Sequence, residues 1–177
     1  MNSKNTLCLI IDIQTKLVPA MHENHRFVND CVKLLSGLSK LSIPCMLSEQ
    51  YPKGLGKTVS LVKSFTANAT LVEKTQFSAF LPEIEAFIQQ HQAKNIIVIG
   101  AETHICVLQT VLDLCKKNLN VYLPIECVTS RTLENKQNGL MQMQQAGAII
   151  SNIESILFML LKDAKHPAFK TISTLIQ

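Results

Sequence analysis

The sequence has no tryptophan, only two tyrosines, and charges of both signs scattered along its length. Its 17 basic and 13 acidic residues leave a net charge of +4, and no basic run is longer than Lys116–Lys117. Without a basic stripe interleaved with aromatics, nucleic-acid binding is not expected. No C-x-x-C pair and no cysteine–histidine spacing of a zinc site occurs, which removes the usual thiol–metal readings. Long apolar runs are missing too. The stretch Ile156–Leu161 is far too short to cross a bilayer, so no membrane partner is expected. The opening "MNSKNTLCLIID" lacks the charged region, long apolar region and cleavage site of a secretory signal.

Cysteine is not scarce. Six occur, at 8, 31, 45, 106, 115 and 127, several inside apolar segments such as "LCLIID" and "PCMLS". Reduced, mostly buried thiols in a cytoplasmic protein account for this pattern. A chain of 177 residues is expected to form one domain, residues 1–177, with a real hydrophobic core.

Short apolar runs alternate with helical patterns. Leu7–Ile11, Pro44–Leu47, Leu71–Val72, Ile96–Ile99, Val121–Leu123 and Ala148–Ile150 read as six strands. Between them lie a helix over Asn24–Lys40 with Phe27, Val28, Cys31, Val32, Leu35 and Leu38 on one stripe, and a helix opened by Pro82. Further helices cover Leu133–Gln145, stopped at Gly147, a segment capped by an S-x-x-E box of Ser151 and Glu154, and His166–Ile176. The segment "ESILFMLL" is apolar on every face, so its helix is expected to be buried all round. Alternating elements and continuously apolar strands predict an α/β protein with a parallel sheet covered on both faces.

In such sheets the working site lies beyond the carboxyl ends of the strands. Asp12 ends the first strand and Lys74 the third, and Cys106 follows the fourth where strand becomes helix. Singly, each has a plain structural reading: a turn cap, a solvated lysine, a small core residue. Together they are a thiol with its activators, since a helix N-terminus and a neighbouring ammonium favour thiolate and a carboxylate can take and return the proton. On this reading Cys106 is the thiol most sensitive to alkylation.

The segments "LIIDIQTKLVPAM", "LVEKTQFSAF" and "VIGAETHICVLQTVLDL", in this order, resemble the isochorismatase-like cysteine hydrolase superfamily, which includes nicotinamidases and carbamoylsarcosine amidohydrolase. The resemblance covers nearly the whole chain and points to its small uncharacterised hydrolases. It implies a three-layer α/β/α Rossmann-like fold with a mainly parallel six-stranded sheet. It also implies an Asp12–Lys74–Cys106 triad, and a cis peptide bond at Ala101–Glu102 that turns the Glu102 N–H, with that of Cys106, toward an oxyanion. Gln14, Phe77 and Ser78 are candidate substrate contacts. Nicotinamidases usually carry Thr-Asp before the nucleophile, where this chain has Thr103-His104. Their metal-binding segment matches residues 48–72, which hold no Asp and no His, so neither metal nor other cofactor is expected. True isochorismatases have glycine in place of the cysteine, which disfavours vinyl-ether hydrolysis. The expected activity is hydrolysis of a small amide-like substrate through a thioester, by a homo-oligomer. The rivals are a non-catalytic scaffold, a thiol redox sensor, and a nucleotide-binding domain; the last lacks its three-glycine fingerprint.

Overall fold

The structure, a computed structural model, describes residues 1–177. Seven parallel strands form one sheet: β1 (Thr6–Ile11), β2 (Cys45–Gln50), β3 (Thr70–Lys74), β4 (Asn95–Ala101), β5 (Asn120–Pro124), β6 (Val128–Thr129) and β7 (Ile149–Ser151). The order is β3-β2-β1-β4-β5-β7, with β6 alongside the last residues of β4. The sequence predicts six of these; β6 is a two-residue strand, too short to leave a pattern.

Eight helices connect them: α1 (Asn24–Lys40), α2 (Pro52–Leu55), α3 (Ser60–Phe65), α4 (Pro82–Gln90), α5 (Leu108–Lys116), α6 (Leu133–Gln145), α7 (Ile153–Leu161) and α8 (Phe169–Ile176). Side chains alternate across a strand. Cys8 and Ile10 therefore enter one core, with α1, α3, α7 and α8, while Leu7, Leu9 and Ile11 enter the other, with α4, α5 and α6. Because both faces are covered, β1 is buried throughout and apolar from Leu7 to Ile11 instead of alternating. The α1 stripe buries Phe27, Val28, Leu34, Leu35 and Leu38, each contributing on the order of 1.5–3 kcal/mol of transfer free energy.

Two local expectations need correction. The cap of α7 is Asn152, not Ser151: its Oδ1 accepts the Ser155 N–H at 2.7 Å. Nor is α7 buried all round. Ile156, Leu157, Leu160 and Leu161 are buried, whereas Phe158 stays 39% exposed, touched edge-on by Phe169 of α8.

The strand order reverses between β1 and β4, which run as direct neighbours. Gly100 (φ +132°) lies opposite Ile11, where a Cβ would collide with the Ile11 carbonyl. That close approach brings the end of β1 against the segment leaving β4, and Asp12 and Cys106 stand on either side of it.

Candidate active site

Asp12 follows β1 directly, in the left-handed region at φ 52°, which a short polar side chain tolerates better than most. It is fully buried. The end of β2 supplies a hydroxyl, and Ser48 Oγ donates to Asp12 Oδ1 at 2.7 Å. Lys74, the last residue of β3, reaches across β2, and its Nζ lies 2.7 Å from Asp12 Oδ2 with both side chains buried. The same ammonium donates to Gln50 Oε1 (2.6 Å), Phe77 O (2.9 Å) and Gln76 O (3.3 Å). A buried ion pair needs such partners, because removing both charges from water otherwise costs more than their attraction returns. Oδ2 accepts no other hydrogen bond, so its remaining lone pair is open to a third group.

Cys106 supplies that group. After the cis Ala101–Glu102 bond, a π-helical turn over Thr103–Val107 runs into α5 and carries the thiol in its middle. The thiol is 7% exposed and close enough to feel the charges of both the Asp12 carboxylate and the Lys74 ammonium. The turn is clamped from two sides. Gly139 of α6 packs where a Cβ would press on Thr103 O and His104 Cα at 3.0 Å. Thr110 Oγ1 donates to Cys106 O at 2.6 Å and accepts the Ala79 N–H at 2.8 Å, tying the loop after Lys74 to the nucleophile turn.

The helix terminus and Lys74, which favour thiolate in the sequence reading, meet a stronger opposing effect. Burial, and then the Asp12 carboxylate, push the Cys106 thiol up to about 12, with Lys74 pulling the other way. The nucleophile turn is closed over apolar side chains, and the dipole of a short helical turn does not offset desolvation. The thiol is therefore neutral, with a base beside it.

Of the remaining predicted residues, Glu102 is buried and its carboxylate is gripped by Arg131, Nη2 to Oε1 at 3.3 Å and Nε to Oε2 at 3.2 Å. Phe77 stands 54% exposed beside the lysine that binds its carbonyl. Gln14 and Ser78, expected to contact substrate, both make internal hydrogen bonds. Gln14 is fully buried; its Nε2 donates to Gln50 O (3.0 Å) and Gly56 O (2.6 Å), and its Oε1 accepts the Gln50 N–H (2.8 Å). It locks the main chain of the residue that holds Lys74. Ser78 Oγ donates to Asp113 Oδ2 at 2.8 Å and accepts the Phe80 N–H. Sequence reasoning missed Ser48, Gln50 and Arg131. Gln50 ends the second strand as Lys74 ends the third, with Ser48 two residues before it, and that position was the available signal.

Comparisons with known proteins find relatives of the same family and fold. Residues 6–155 match the Isochorismatase domain. The chain is similar to Isochorismatase domain-containing protein 1 of Salmo salar, 35% identical over 173 residues that cover 97% of this chain and 61% of the relative; it spans about three fifths of that protein's length. Among solved structures it resembles the MAR1 ribonuclease of Caenorhabditis elegans, with a TM-score of 0.95 at 35% identity over 99% of this chain and 91% of that one. YcaC of Escherichia coli, an octameric hydrolase of unknown specificity, shares the fold with a TM-score of 0.92 at 19% identity, covering 99% of this chain and 88% of its own.

Proposed function

We propose that this chain, which belongs to the isochorismatase family, is a cysteine-dependent hydrolase that cleaves the C–N bond of a small amide-like substrate through a thioester on Cys106. The observation that carries the reading is the buried Asp12–Lys74 pair, 2.7 Å apart, with an open carboxylate lone pair and a neutral thiol beside it. A carboxylate with no task other than ion pairing would not need a thiol within reach.

The reaction follows from those groups. Asp12 accepts the Cys106 proton as sulfur attacks the substrate carbonyl carbon, and the Lys74 charge favours the forming thiolate. The Glu102 and Cys106 N–H groups receive the oxyanion. Collapse breaks the C–N bond, and protonated Asp12 gives its proton to the leaving amine. Water, losing a proton to Asp12, then adds to the thioester; the acid departs and Cys106 recovers its proton. Ser48 holds Asp12 through Oδ1, and Gln50 holds Lys74 beside Asp12. No group of three or more His, Cys, Asp or Glu side chains is arranged to hold a metal, and the scheme requires none.

The likeness to a ribonuclease gives a second reading, phosphodiester cleavage. The site supports it less well. Phosphoryl chemistry leans on cations free to meet phosphate oxygens, whereas the Lys74 ammonium is buried and engaged and Arg131 is paired with Glu102. A homo-oligomer remains part of the proposal, supported by the octameric YcaC and by exposed Tyr51 and Leu61. A panel of small amides and esters, with a single-stranded RNA beside it, tests the function. Amide turnover lost in Cys106→Ala supports the reading, and RNA cleavage that survives in Cys106→Ala overturns it.

A further inference from the structure

At the far end of the sheet from the triad, where β2 and β3 begin, an open cleft of about 700 Å³ is lined by Leu35, Ile43, Cys45, Phe65, Phe87 and His91. Cys45 is the first residue of β2 and is half-buried. Its register partner in β1 is Cys8, which is fully buried. Partner residues on neighbouring strands lie about 4.8 Å apart, inside the roughly 4.4–6.8 Å Cα separation that a disulfide spans. Both side chains leave the sheet on the same face, toward α1, where Cys45 Sγ donates to Ile43 O at 3.6 Å. One thiol is reachable through the cleft, and its partner is sealed behind it.

We propose that Cys45 and Cys8 form a second reactive site, a dithiol oxidised by small hydroperoxides, in which Cys45 is attacked from the cleft and Cys8 resolves the product. Cys45 sulfur attacks the peroxide and breaks the O–O bond, giving a sulfenic acid and one water or alcohol that carries away the thiol proton. Cys8 sulfur then displaces the sulfenic hydroxyl, which leaves with the Cys8 proton as water, and an S–S bond joins β1 to β2. The two thiols lose two electrons and the peroxide gains them.

The charge balance supports the assignment of roles. The neighbouring Cys8 thiol holds the Cys45 thiol below its ordinary value, while Cys45 and burial raise Cys8. The other thiols are poorly placed. Cys31 and Cys127 are fully buried, with Cys31 Sγ turned to Cys127 O at 3.7 Å, Cys106 is nearly sealed and protonated, and the half-buried Cys115 has its thiol raised by burial. Neither the cleft nor the pair touches the hydrolytic triad, so the inference stands apart from the proposed activity.

The test treats the folded, full-length chain with hydrogen peroxide near neutral pH, then alkylates the remaining thiols and maps the peptides. The expected result is a Cys8–Cys45 cross-linked peptide, reversed by dithiothreitol, with Cys45 lost at least about tenfold faster than Cys106. Cys8→Ala is expected to replace the cross-link with a dimedone-reactive Cys45. Oxidation of Cys106 ahead of Cys45, or a Cys45 that stays reduced, would overturn the proposal. So would Cys45 oxidation in the wild-type chain without any cross-link, and the wild-type mapping decides even if Cys8→Ala does not fold.

Discussion

Cys106 and Cys45 are cysteines at opposite ends of one sheet, the first beyond the carboxyl end of β4 and the second opening β2. Cys106 is nearly sealed, faces a carboxylate and an ammonium, and has its thiol pushed up to about 12 by burial and Asp12. Cys45 opens on a cleft, has only another thiol behind it, and is held below its ordinary value. By acidity alone Cys45 is the reactive cysteine. By machinery it is Cys106, because a neutral thiol next to a base can be ionised as sulfur attacks, inside a site that binds the oxyanion. The contrast separates two properties that a sequence reading merges: resting nucleophilicity, and competence for a reaction that must also protonate a leaving group.

The strongest way to break the contrast is to remove the base. Asp12→Asn is expected to lower turnover by about 10³-fold. Because the Asp12 charge raises the Cys106 thiol, the same variant is expected to speed iodoacetamide capture of Cys106 at mildly alkaline pH. Loss of turnover with gain of alkylation is the signature; parallel losses would point to a collapsed site. Removing the cation acts on stability instead. Lys74→Met leaves the Asp12 charge buried without its partner, and urea denaturation is expected to show a loss of about 3–5 kcal/mol. A loss below about 1 kcal/mol would mean that the pair is not sealed.

The pH dependence of alkylation sharpens the comparison. Only thiolate reacts, and Cys106 titrates near 12, so its rate is expected to rise roughly tenfold per pH unit from about pH 7 to about pH 9. Cys45, whose thiol is shifted downward, is expected to bend away from that slope at a lower pH than Cys106. A Cys106 profile that levels off earlier than that of Cys45 would reverse the assignment. The smallest of these effects belongs to Ser48→Ala. It deletes one hydrogen bond to a carboxylate, worth about 1.5–3 kcal/mol, and is expected to lower kcat by about tenfold while Ser48→Thr retains most of it. An unchanged kcat would show that Lys74 alone orients Asp12.

The polar end of β1 was legible in the sequence because the run before it is apolar, and that of β3 because a short apolar core precedes Glu73 and Lys74. Leu7–Ile11 closes on Asp12, and Lys74 stands out after Leu71 and Val72. What was not legible depends on contacts between distant residues. The Gln14 clamp reaches Gln50 and Gly56, 36 and 42 residues away. The state of the Cys106 thiol depends on how fully α5 and α6 close over it, and a helix N-terminus read from sequence carries no measure of burial. β6 has two residues, which is less than one period of any pattern. The α7 cap shifted from Ser151 to Asn152 because both residue types accept an N–H equally well, and only the backbone exit from β7 chooses between them.

The account is tested most directly by finding which thiol carries an acyl group that turns over. The full-length chain is mixed with p-nitrophenyl acetate, quenched in acid at successive times, and mapped by mass spectrometry. The predicted result is an acetyl group on Cys106 that is replenished while nitrophenol accumulates past one equivalent, and that is absent or static in Asp12→Asn. Any acetyl group on Cys45 is predicted to persist without turnover. Sustained nitrophenol release with Cys106 never acetylated, or undiminished in Cys106→Ala, would contradict the account.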